Sequence, residues 1–323
     1  MTLGASLLDG TLRGLSRLIQ LHPEAWRVRR GLTRIDDIPY LDSGSGAHTL
    51  DIYRPKRLAG LVPVVLYVHG GGFRILSKET HWMMAQAFAS RGYLVCNINY
   101  RLAPRHPFPT PLADVCCAAL WVKRNVHRFG GDATRLILAG ESAGANLVSA
   151  LAFCHSFRRP EPWARALFEA DIAPRAVLAA CGILQVSDPG RFERRKTLPR
   201  IVNSRIHLVS NSYLKGVGTP TPLLADPLRL AESDAPTDRE LPPFFLPCGT
   251  KDPILDDSRR MCAALERRGA VARAPIYPGG LHAFHAMLWD DLARQMWRDQ
   301  FAFLDELGLG PEARIYQAEQ TCL

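Results

Sequence analysis

The sequence predicts an α/β fold in which a mostly parallel central sheet is flanked by helices. From residue 62 onward, short runs of β-branched and apolar residues alternate with longer segments of helical pattern, as in successive βαβ units. The apolar runs are continuous rather than alternating, which indicates strands that are covered on both faces. The 323 residues, 47% of them hydrophobic and 22% charged, suffice for one large α/β domain with insertions.

Six strands and four crossover helices are predicted for this alternation. The strands are 62–70, 92–100, 135–140, 175–184, 242–250 and 272–280. The helices are 79–92, 111–130, 142–155 and 256–270, several of them closed by glycine. Upstream, 34–41 and 48–55 flank a Gly/Ser-rich segment, which is typical of an antiparallel hairpin at a sheet edge.

Two regions depart from the alternation. Residues 1–34 place Leu8, Leu12, Leu15 and Ile19 at helical spacing among arginines. Such an amphipathic helix needs an apolar partner, either the rest of this protein or a membrane interface. Residues 186–240 interrupt the step between two strands, and an insertion of this length is more often a lid or substrate-binding element than a passive loop.

The formal net charge is +9 with a pI near 9.3, which raises the question of acidic partners. The densest basic clusters, 191–200 and 26–34, lack the interleaved aromatic residues of a nucleic-acid stacking platform. A solvated basic surface is therefore favoured, and no nucleic-acid partner is predicted.

Cysteine usage indicates reduced core thiols rather than a disulfide framework. No Cys-x-x-Cys or other metal-ligand spacing occurs, so no metal is predicted. The eight cysteines are at 96, 116, 117, 154, 181, 248, 262 and 322.

A secretory signal and a bilayer-spanning run are not evident in the sequence. The predicted location is therefore cytoplasmic, and no stable membrane insertion is expected.

A serine lies between two glycines in GESAG, 140–144, after a predicted strand and before a predicted helix. This context is typical of a nucleophile elbow, a strained turn that presents the Ser142 hydroxyl at the carboxyl end of a strand. A glycine-rich turn with a capping serine is the alternative, and five residues alone do not decide between them.

A second glycine motif, HGGGF at 69–73, follows another predicted strand. It lacks the Lys-Ser/Thr of a phosphate-binding P-loop. Together with the elbow it favours an oxyanion hole, with backbone N–H donors from Gly71 and Gly72, Gly70 as a further candidate, and Ala143 after the serine.

A serine hydroxyl becomes nucleophilic only when a base takes its proton, and an acid must orient that base. Asp252 and His282 follow the fifth and sixth predicted strands, in the chain order serine, acid, histidine. Asp256 and Asp257 are interpreted as first-turn acids of the next helix. His285 lies one turn beyond His282, which is nearer the strand end and is preferred.

Taken together, these motifs resemble the hormone-sensitive-lipase-like branch of the α/β-hydrolase esterases, often called bacterial family IV. The resemblance covers roughly residues 48–305. It rests on HGGGF at 69–73, YRLAP with HPFPTPLADV at 100–115, GESAG at 140–144, DPILDD at 252–257 and HAF at 282–284.

The resemblance implies an α/β-hydrolase fold with a helical cap and assigns a role to each site residue. It makes Ser142 the nucleophile, His282 the general base and acid, and Asp252 the acid that orients it. It also implies four segments, namely N-terminal cap helices in 1–45, a first core part in 46–185, a cap insertion in 186–240 and a second core part in 241–323.

The implied activity is hydrolysis of short- to medium-chain acyl esters by a serine carboxylesterase through an acyl-enzyme, without a cofactor. The expected partner is a small-molecule ester, and a homodimer is left open. Deacetylation, amide hydrolysis and lactone opening by the same triad are alternatives. A non-catalytic small-ligand receptor is a further one, since the fold serves as a plant hormone receptor when the catalytic histidine is replaced; His282 argues against it.

Three positions depart from the family pattern. Arg105 stands where the family usually has Glu, so an ion pair near the site is expected to be lost or reversed. Ala145 replaces a frequent Gly after the elbow, which is expected only to stiffen the helix. Leu76 replaces a frequent Gly near the oxyanion loop, the segment 69–73 that carries HGGGF, and is expected to narrow or reshape the acyl pocket.

Overall fold

The computed structural model describes residues 10, 14, 28–58, 60–195 and 197–311. Its strands are β1 (Leu32–Pro39), β2 (Thr49–Pro55), β3 (Val62–Val68), β4 (Leu94–Ile98), β5 (Gly131–Glu141), β6 (Ala176–Ala180), β7 (Phe244–Phe245), β8 (Cys248–Gly249), β9 (Ala272–Arg273) and β10 (Ile276–Tyr277). Eight of them form one sheet in the order β1-β2-β4-β3-β5-β6-β7-β9, while β8 and β10 form a separate parallel pair.

Eight helices of at least six residues accompany these strands in the described part of the chain. They are α1 (Trp82–Ala89), α2 (Thr110–Asn125), α3 (Ala143–Ser156), α4 (Pro162–Glu169), α5 (Arg200–Tyr213), α6 (Pro227–Glu232), α7 (Leu255–Arg267) and α8 (Asp291–Glu306). The four predicted crossover helices correspond to α1, α2, α3 and α7.

The sheet is buried on both faces. Successive side chains of a strand point to opposite sides, so one strand contributes to the core on each face. Along β3, Val64 and Leu66 belong to the core that contains α2 and α3. Val65 and Tyr67 belong to the core that contains α1 and α8. The predicted α/β class, with a mostly parallel sheet between two helical layers, is confirmed.

The predicted edge hairpin is present, since β1 pairs with β2 antiparallel and is the outermost strand. Leu32–Pro39 is therefore a strand of the sheet and does not belong to the N-terminal cap helices expected in 1–45. The amphipathic pattern of Leu8, Leu12, Leu15 and Ile19 lies outside the described residues.

The last two predicted strands are each divided in two. Segment 242–250 forms β7 and β8, and segment 272–280 forms β9 and β10. Pro247 and Pro275 lie at the breaks, and proline has no N–H to donate to a ladder. Their carbonyls still accept hydrogen bonds from Cys181 N at 2.9 Å and Cys248 N at 3.2 Å. The prediction of one continuous strand in each segment was wrong for this reason.

The 186–240 insertion contains α5 and α6. On α5, Val202, Ile206 and Val209 follow the i, i+4, i+7 spacing of one helix face, and this face lines a cavity that Ser142 also lines. The basic cluster before α5 is held by ion pairs, among them Arg191 with Asp257 at 2.6 Å.

The seven cysteines of the described ranges are all free thiols, and five of them are buried. In those ranges, no helix combines the length and the apolar character that crossing a bilayer requires.

Candidate active site

The predicted strained turn is present at Ser142. Strand β5 ends at Glu141 and helix α3 begins at Ala143, so one residue separates the two elements. Ser142 has φ 55° and ψ −112°, a conformation that non-glycine residues rarely adopt. The sharp reversal directs the side chain away from both elements, at the carboxyl edge of the sheet.

The two glycines of GESAG allow β3 and the elbow to come into close contact. A Cβ on Gly140 would lie 2.7 Å from the Val68 carbonyl oxygen, and one on Gly144 would lie 2.0 Å from it. Neither position accepts a side chain without moving backbone. This contact brings the HGGGF loop, which follows β3, against the serine.

Ser142, His282 and Asp252 form a continuous hydrogen-bonded chain. His282 Nε2 lies 3.0 Å from Ser142 Oγ, and His282 Nδ1 lies 2.8 Å from Asp252 Oδ2. The structure thus brings together the three residues that the sequence had placed on separate loops. Asp252 is also fixed through Oδ1, which accepts a hydrogen bond from Ile254 N at 2.9 Å.

The short β8–β10 ladder positions the acid beside the base. Cys248 pairs with Ile276 and Gly249 pairs with Tyr277, so the loops that follow both strands leave the ladder side by side. These are the loops that carry Asp252 and His282.

The hydrogen bonds determine which protonation state of His282 can act. A carboxylate only accepts, so Nδ1 donates to Asp252, and Nε2 of the neutral ring is left to accept the Ser142 proton. Desolvation in the cavity would lower the pKa of His282. The hydrogen bond and the charge of Asp252 outweigh it, and the pKa is raised above its ordinary value.

The competing residues have other partners. Asp256 and Asp257 lie in the first turn of α7, as interpreted from the sequence. Asp256 pairs with Arg195 at 2.8 Å, while Asp257 is fully buried and accepts from Leu184 N at 2.9 Å. Burial lowers the pKa of His285 to about 4, and this ring forms no hydrogen bond to the serine or the acid.

Two of the three glycines after β3 are suited to an oxyanion hole. Gly71 and Gly72 have φ of 97° and 60°, which favours glycine, and both line the cavity that contains Ser142. Among the described residues, neither N–H donates a hydrogen bond within the protein. Ala143 is the first residue of α3, and a first-turn N–H has no intrahelical acceptor.

The prediction of Gly70 as a further oxyanion donor was wrong. Its N–H donates to Glu141 Oε1, so it is already occupied and holds the loop instead of facing the substrate.

Glu141 is the site residue that sequence reasoning missed. Besides Gly70 N–H it accepts from the Tyr67 hydroxyl and pairs with His81 Nε2 at 2.8 Å. Burial would raise the pKa of Glu141, but the charge of His81 and hydrogen bonds from His81 and Tyr67 lower it to about 2. The available signal was a carboxylate inside GESAG, directly after an apolar strand.

Ser142 and His282 face a cavity of about 930 Å³. Its wall is largely apolar. It is formed by side chains from the segment that follows the HGGGF motif, from α1 and α5, and from the loop after β10. The apolar members include Leu76, Met83, Met84, Ile183, Ile201, Val202, Ile206, Val209, Ile254, Leu281, Met287 and Trp289.

The structure shows why glycine suits one of the positions at which this chain departs from the family pattern. Leu76 lines the cavity with φ 72°, a left-handed conformation that glycine adopts without strain. Arg105 is exposed and takes part in none of the ion pairs found within the described ranges.

Comparison with known proteins agrees with this geometry. A family model described as the alpha/beta hydrolase fold matches residues 65–286. Carboxylesterase NlhH of Mycobacterium tuberculosis is 27% identical over 287 residues, which are 87% of this chain and 82% of that protein. Esterase LipQ of the same species is 31% identical over 265 residues, which are 79% of this chain and 58% of that protein.

Among solved structures, an esterase of Pyrobaculum calidifontis matches with a TM-score of 0.73 and 22% identity over 94% of each chain, a likeness that concerns the fold alone. The family match covers more than half of the chain, from within β3 through the glycine loop and the elbow to the loop after β10. The chain therefore belongs to the α/β-hydrolase family, in its hormone-sensitive-lipase-like carboxylesterase branch.

Proposed function

We propose that this protein hydrolyses short- to medium-chain carboxylic esters, with Ser142 as nucleophile, His282 as general base and acid, and Asp252 as the residue that orients His282. The observation that carries the proposal is the 3.0 Å contact between Ser142 Oγ and His282 Nε2 inside an apolar cavity. A hydroxyl, a base and an orienting acid in hydrogen-bond sequence are what acyl transfer requires.

In the acylation step, Ser142 Oγ attacks the ester carbonyl carbon while His282 Nε2 takes the hydroxyl proton. The carbonyl oxygen becomes an oxyanion, which the N–H groups of Gly71, Gly72 and Ala143 stabilise. Asp252 stabilises the imidazolium. Collapse of the intermediate expels the alcohol, which leaves with the proton from His282, and an acyl-Ser142 ester remains.

In the deacylation step, water replaces the alcohol. His282 takes a proton from the water, the resulting hydroxide attacks the acyl carbon, and the second tetrahedral intermediate uses the same donors. Its collapse returns the proton to Ser142 Oγ and releases the carboxylic acid.

The cavity supports an apolar acyl group. A wall of Met, Leu, Ile and Val side chains favours an apolar chain over a polar one. Helix α5 provides part of that wall, which supports the assignment of 186–240 to a cap over the site. A cytoplasmic location remains a prediction from the sequence, which leaves a homodimer open.

A panel of p-nitrophenyl esters from acetate to decanoate tests the proposal. We expect a burst of p-nitrophenol followed by steady turnover, with the highest kcat/KM below decanoate. Ser142→Ala is the matched control and is expected to show no burst. Turnover of an aryl acetamide or a lactone but of no ester would contradict ester hydrolysis in favour of the other carbonyl substrates.

A further inference from the structure

The region beside His282 contains a thiol that ester hydrolysis does not use. Cys181 follows β6, and its Sγ, a carboxylate oxygen of Asp252 and a ring nitrogen of His282 all lie within 4.8 Å of one another. Cys181 is 2% exposed and Asp252 is 3% exposed. The three residues come from three different loops, which is why the linear sequence shows no metal-ligand spacing.

A second thiol lies near the same carboxylate. Cys248 is fully buried in β8, and its burial, together with the charge of the nearby Asp252, raises the pKa of its thiol. Asp252 therefore has one thiol neighbour directly after β6 and another in β8. Thiolate, imidazole and carboxylate are together the ligands of tetrahedral zinc sites.

We propose that Cys181, Asp252 and His282 bind a borderline or soft divalent cation, with Zn²⁺ as the cation of choice, and that this binding reversibly inhibits the enzyme. The activity readout rests on the proposed ester hydrolysis, whereas the binding readout does not.

The ligand atoms lie within 4.8 Å of one another and have to move by no more than about 1.2 Å to reach tetrahedral spacing. Zinc lies about 2.3 Å from sulfur and about 2.0–2.2 Å from nitrogen or oxygen, so tetrahedral ligand atoms are about 3.3–3.6 Å apart. The 2.8 Å separation of His282 Nδ1 and Asp252 Oδ2 has to widen by about 0.5 Å to admit the ion. The Cys181 thiol binds as a thiolate and releases its proton to solvent.

The surroundings favour both entry and retention of the ion. The His282 side chain is 38% exposed and lines the same cavity as Ser142, which provides the route from solvent. On the other side, Cys181 and Cys248 belong to the apolar cluster that contains Phe245, Tyr277 and Phe284. Ligation of a cation by anionic groups is stronger in such surroundings than in water.

Metal binding would prevent His282 from acting as the general base, because it would fix the ring in the tautomer that carries its proton on Nε2. Nδ1 is the ring nitrogen that faces Asp252, so it is the nitrogen that meets the ion. A neutral imidazole with a metal on Nδ1 carries its one proton on Nε2. Nε2 then donates to Ser142 Oγ and cannot take its proton.

The first experiment measures hydrolysis of p-nitrophenyl butyrate during a titration with ZnCl₂ in a buffer without chelators. We expect the wild-type protein to lose activity and to recover it when EDTA is added. In Cys181→Ala, the Zn²⁺ concentration that halves each protein's own metal-free rate should rise by more than about tenfold.

The matched control is Cys262→Ser. Cys262 is a half-buried thiol on α7 that contacts Glu266 and lies outside the three-residue cluster. It should keep the Zn²⁺ sensitivity of the wild type. If Cys181→Ala does not fold, Cys181→Ser takes its place, since a serine hydroxyl is a poor zinc ligand and the same relief is expected.

The second experiment uses Cd²⁺, whose bond to a thiolate absorbs in the ultraviolet, and needs no substrate. The band should form in the wild type and in Cys262→Ser and be weakened in the Cys181 variant, even if no ester is turned over. Equal Zn²⁺ inhibition or an equal Cd²⁺ band in wild type and Cys181 variant would overturn the proposal. So would a wild type that neither is inhibited nor shows the band.

Discussion

His282 contacts its two partners through different ring nitrogens, and each contact has its own function. Nδ1 is tied to Asp252 at 2.8 Å and Nε2 faces Ser142 at 3.0 Å. The first contact selects the tautomer, and the second makes the proton transfer possible. The activity should therefore depend on the carboxylate of Asp252 even though this side chain touches no substrate.

Asp252→Asn is expected to lower kcat by on the order of 10⁴-fold, the loss found in the best-studied triad, because the amide favours the wrong imidazole tautomer. Steady-state kinetics with p-nitrophenyl butyrate measures the loss. Asp256→Asn is the control, since Asp256 pairs with Arg195 instead, and it should retain most of the activity. A severe loss in the control with activity kept in Asp252→Asn would mean that the acid has been misassigned.

The pH profile of kcat/KM reports the free His282. Only the neutral ring can take the serine proton, so activity should rise as pH increases through the His282 pKa. Asp252 raises that pKa despite desolvation, so the inflection should lie above about 6.5. Measurement with an uncharged ester over acidic to alkaline pH checks this. A flat profile, or an inflection on the acidic side of the ordinary histidine value, would count against His282 as the base.

At the scale of the elements, the oxyanion loop is held between the sheet and the insertion. Glu141, at the end of β5, holds the loop through Gly70 N–H. On the other side, a Cβ on Gly72 would lie 2.5 Å from the Val209 side chain of α5. The loop therefore packs against both the end of β5 and α5, so changes in either element should alter turnover.

Glu141→Gln should lower kcat by up to about 10²-fold with a smaller change in KM, since the loop loses its charged acceptor while the cavity wall is kept. The loss should stay at or below that for deleting a direct oxyanion donor. Glu306→Gln, which removes a surface partner of Arg273, serves as the control and should leave kcat unchanged. A rise in KM at unchanged kcat would instead assign Glu141 to substrate binding.

Leu76→Gly should move the acyl-chain optimum toward longer esters, because it removes a side chain from the cavity wall at a position whose φ of 72° suits glycine. The measurement is kcat/KM across the p-nitrophenyl ester series. Leu61→Gly, at an exposed position away from the cavity, is the control. An unchanged chain-length profile would show that Leu76 does not limit the acyl pocket.

At the scale of the whole molecule, the sequence was most informative where the chemistry is local. Continuous apolar runs predicted β3 to β6, and the elbow at Ser142 followed from glycine spacing between a strand and a helix. The order of the motifs then pointed to Asp252 and His282. These features are encoded by neighbours in the chain, so periodicity and motif spacing detect them.

The missed features have two origins. Pro247 and Pro275 stand within the apolar runs themselves, and the N–H that each proline lacks divides the strand, which the apolar pattern alone does not reveal. The other two depend on contacts between distant segments. Gly70 is occupied by Glu141, 71 residues further along the chain. The thiol of Cys181 reaches Asp252 only through the order of the strands in the sheet.

The central claim is that Ser142 is the one nucleophile of a serine esterase, and covalent labelling tests it most directly. The protein is titrated with an alkyl fluorophosphonate while residual hydrolysis of p-nitrophenyl butyrate is measured, and the labelled peptide is identified by mass spectrometry. We predict loss of activity in proportion to one adduct per chain, with the adduct on Ser142. An adduct on another serine, or full activity after stoichiometric labelling of Ser142, would contradict the claim.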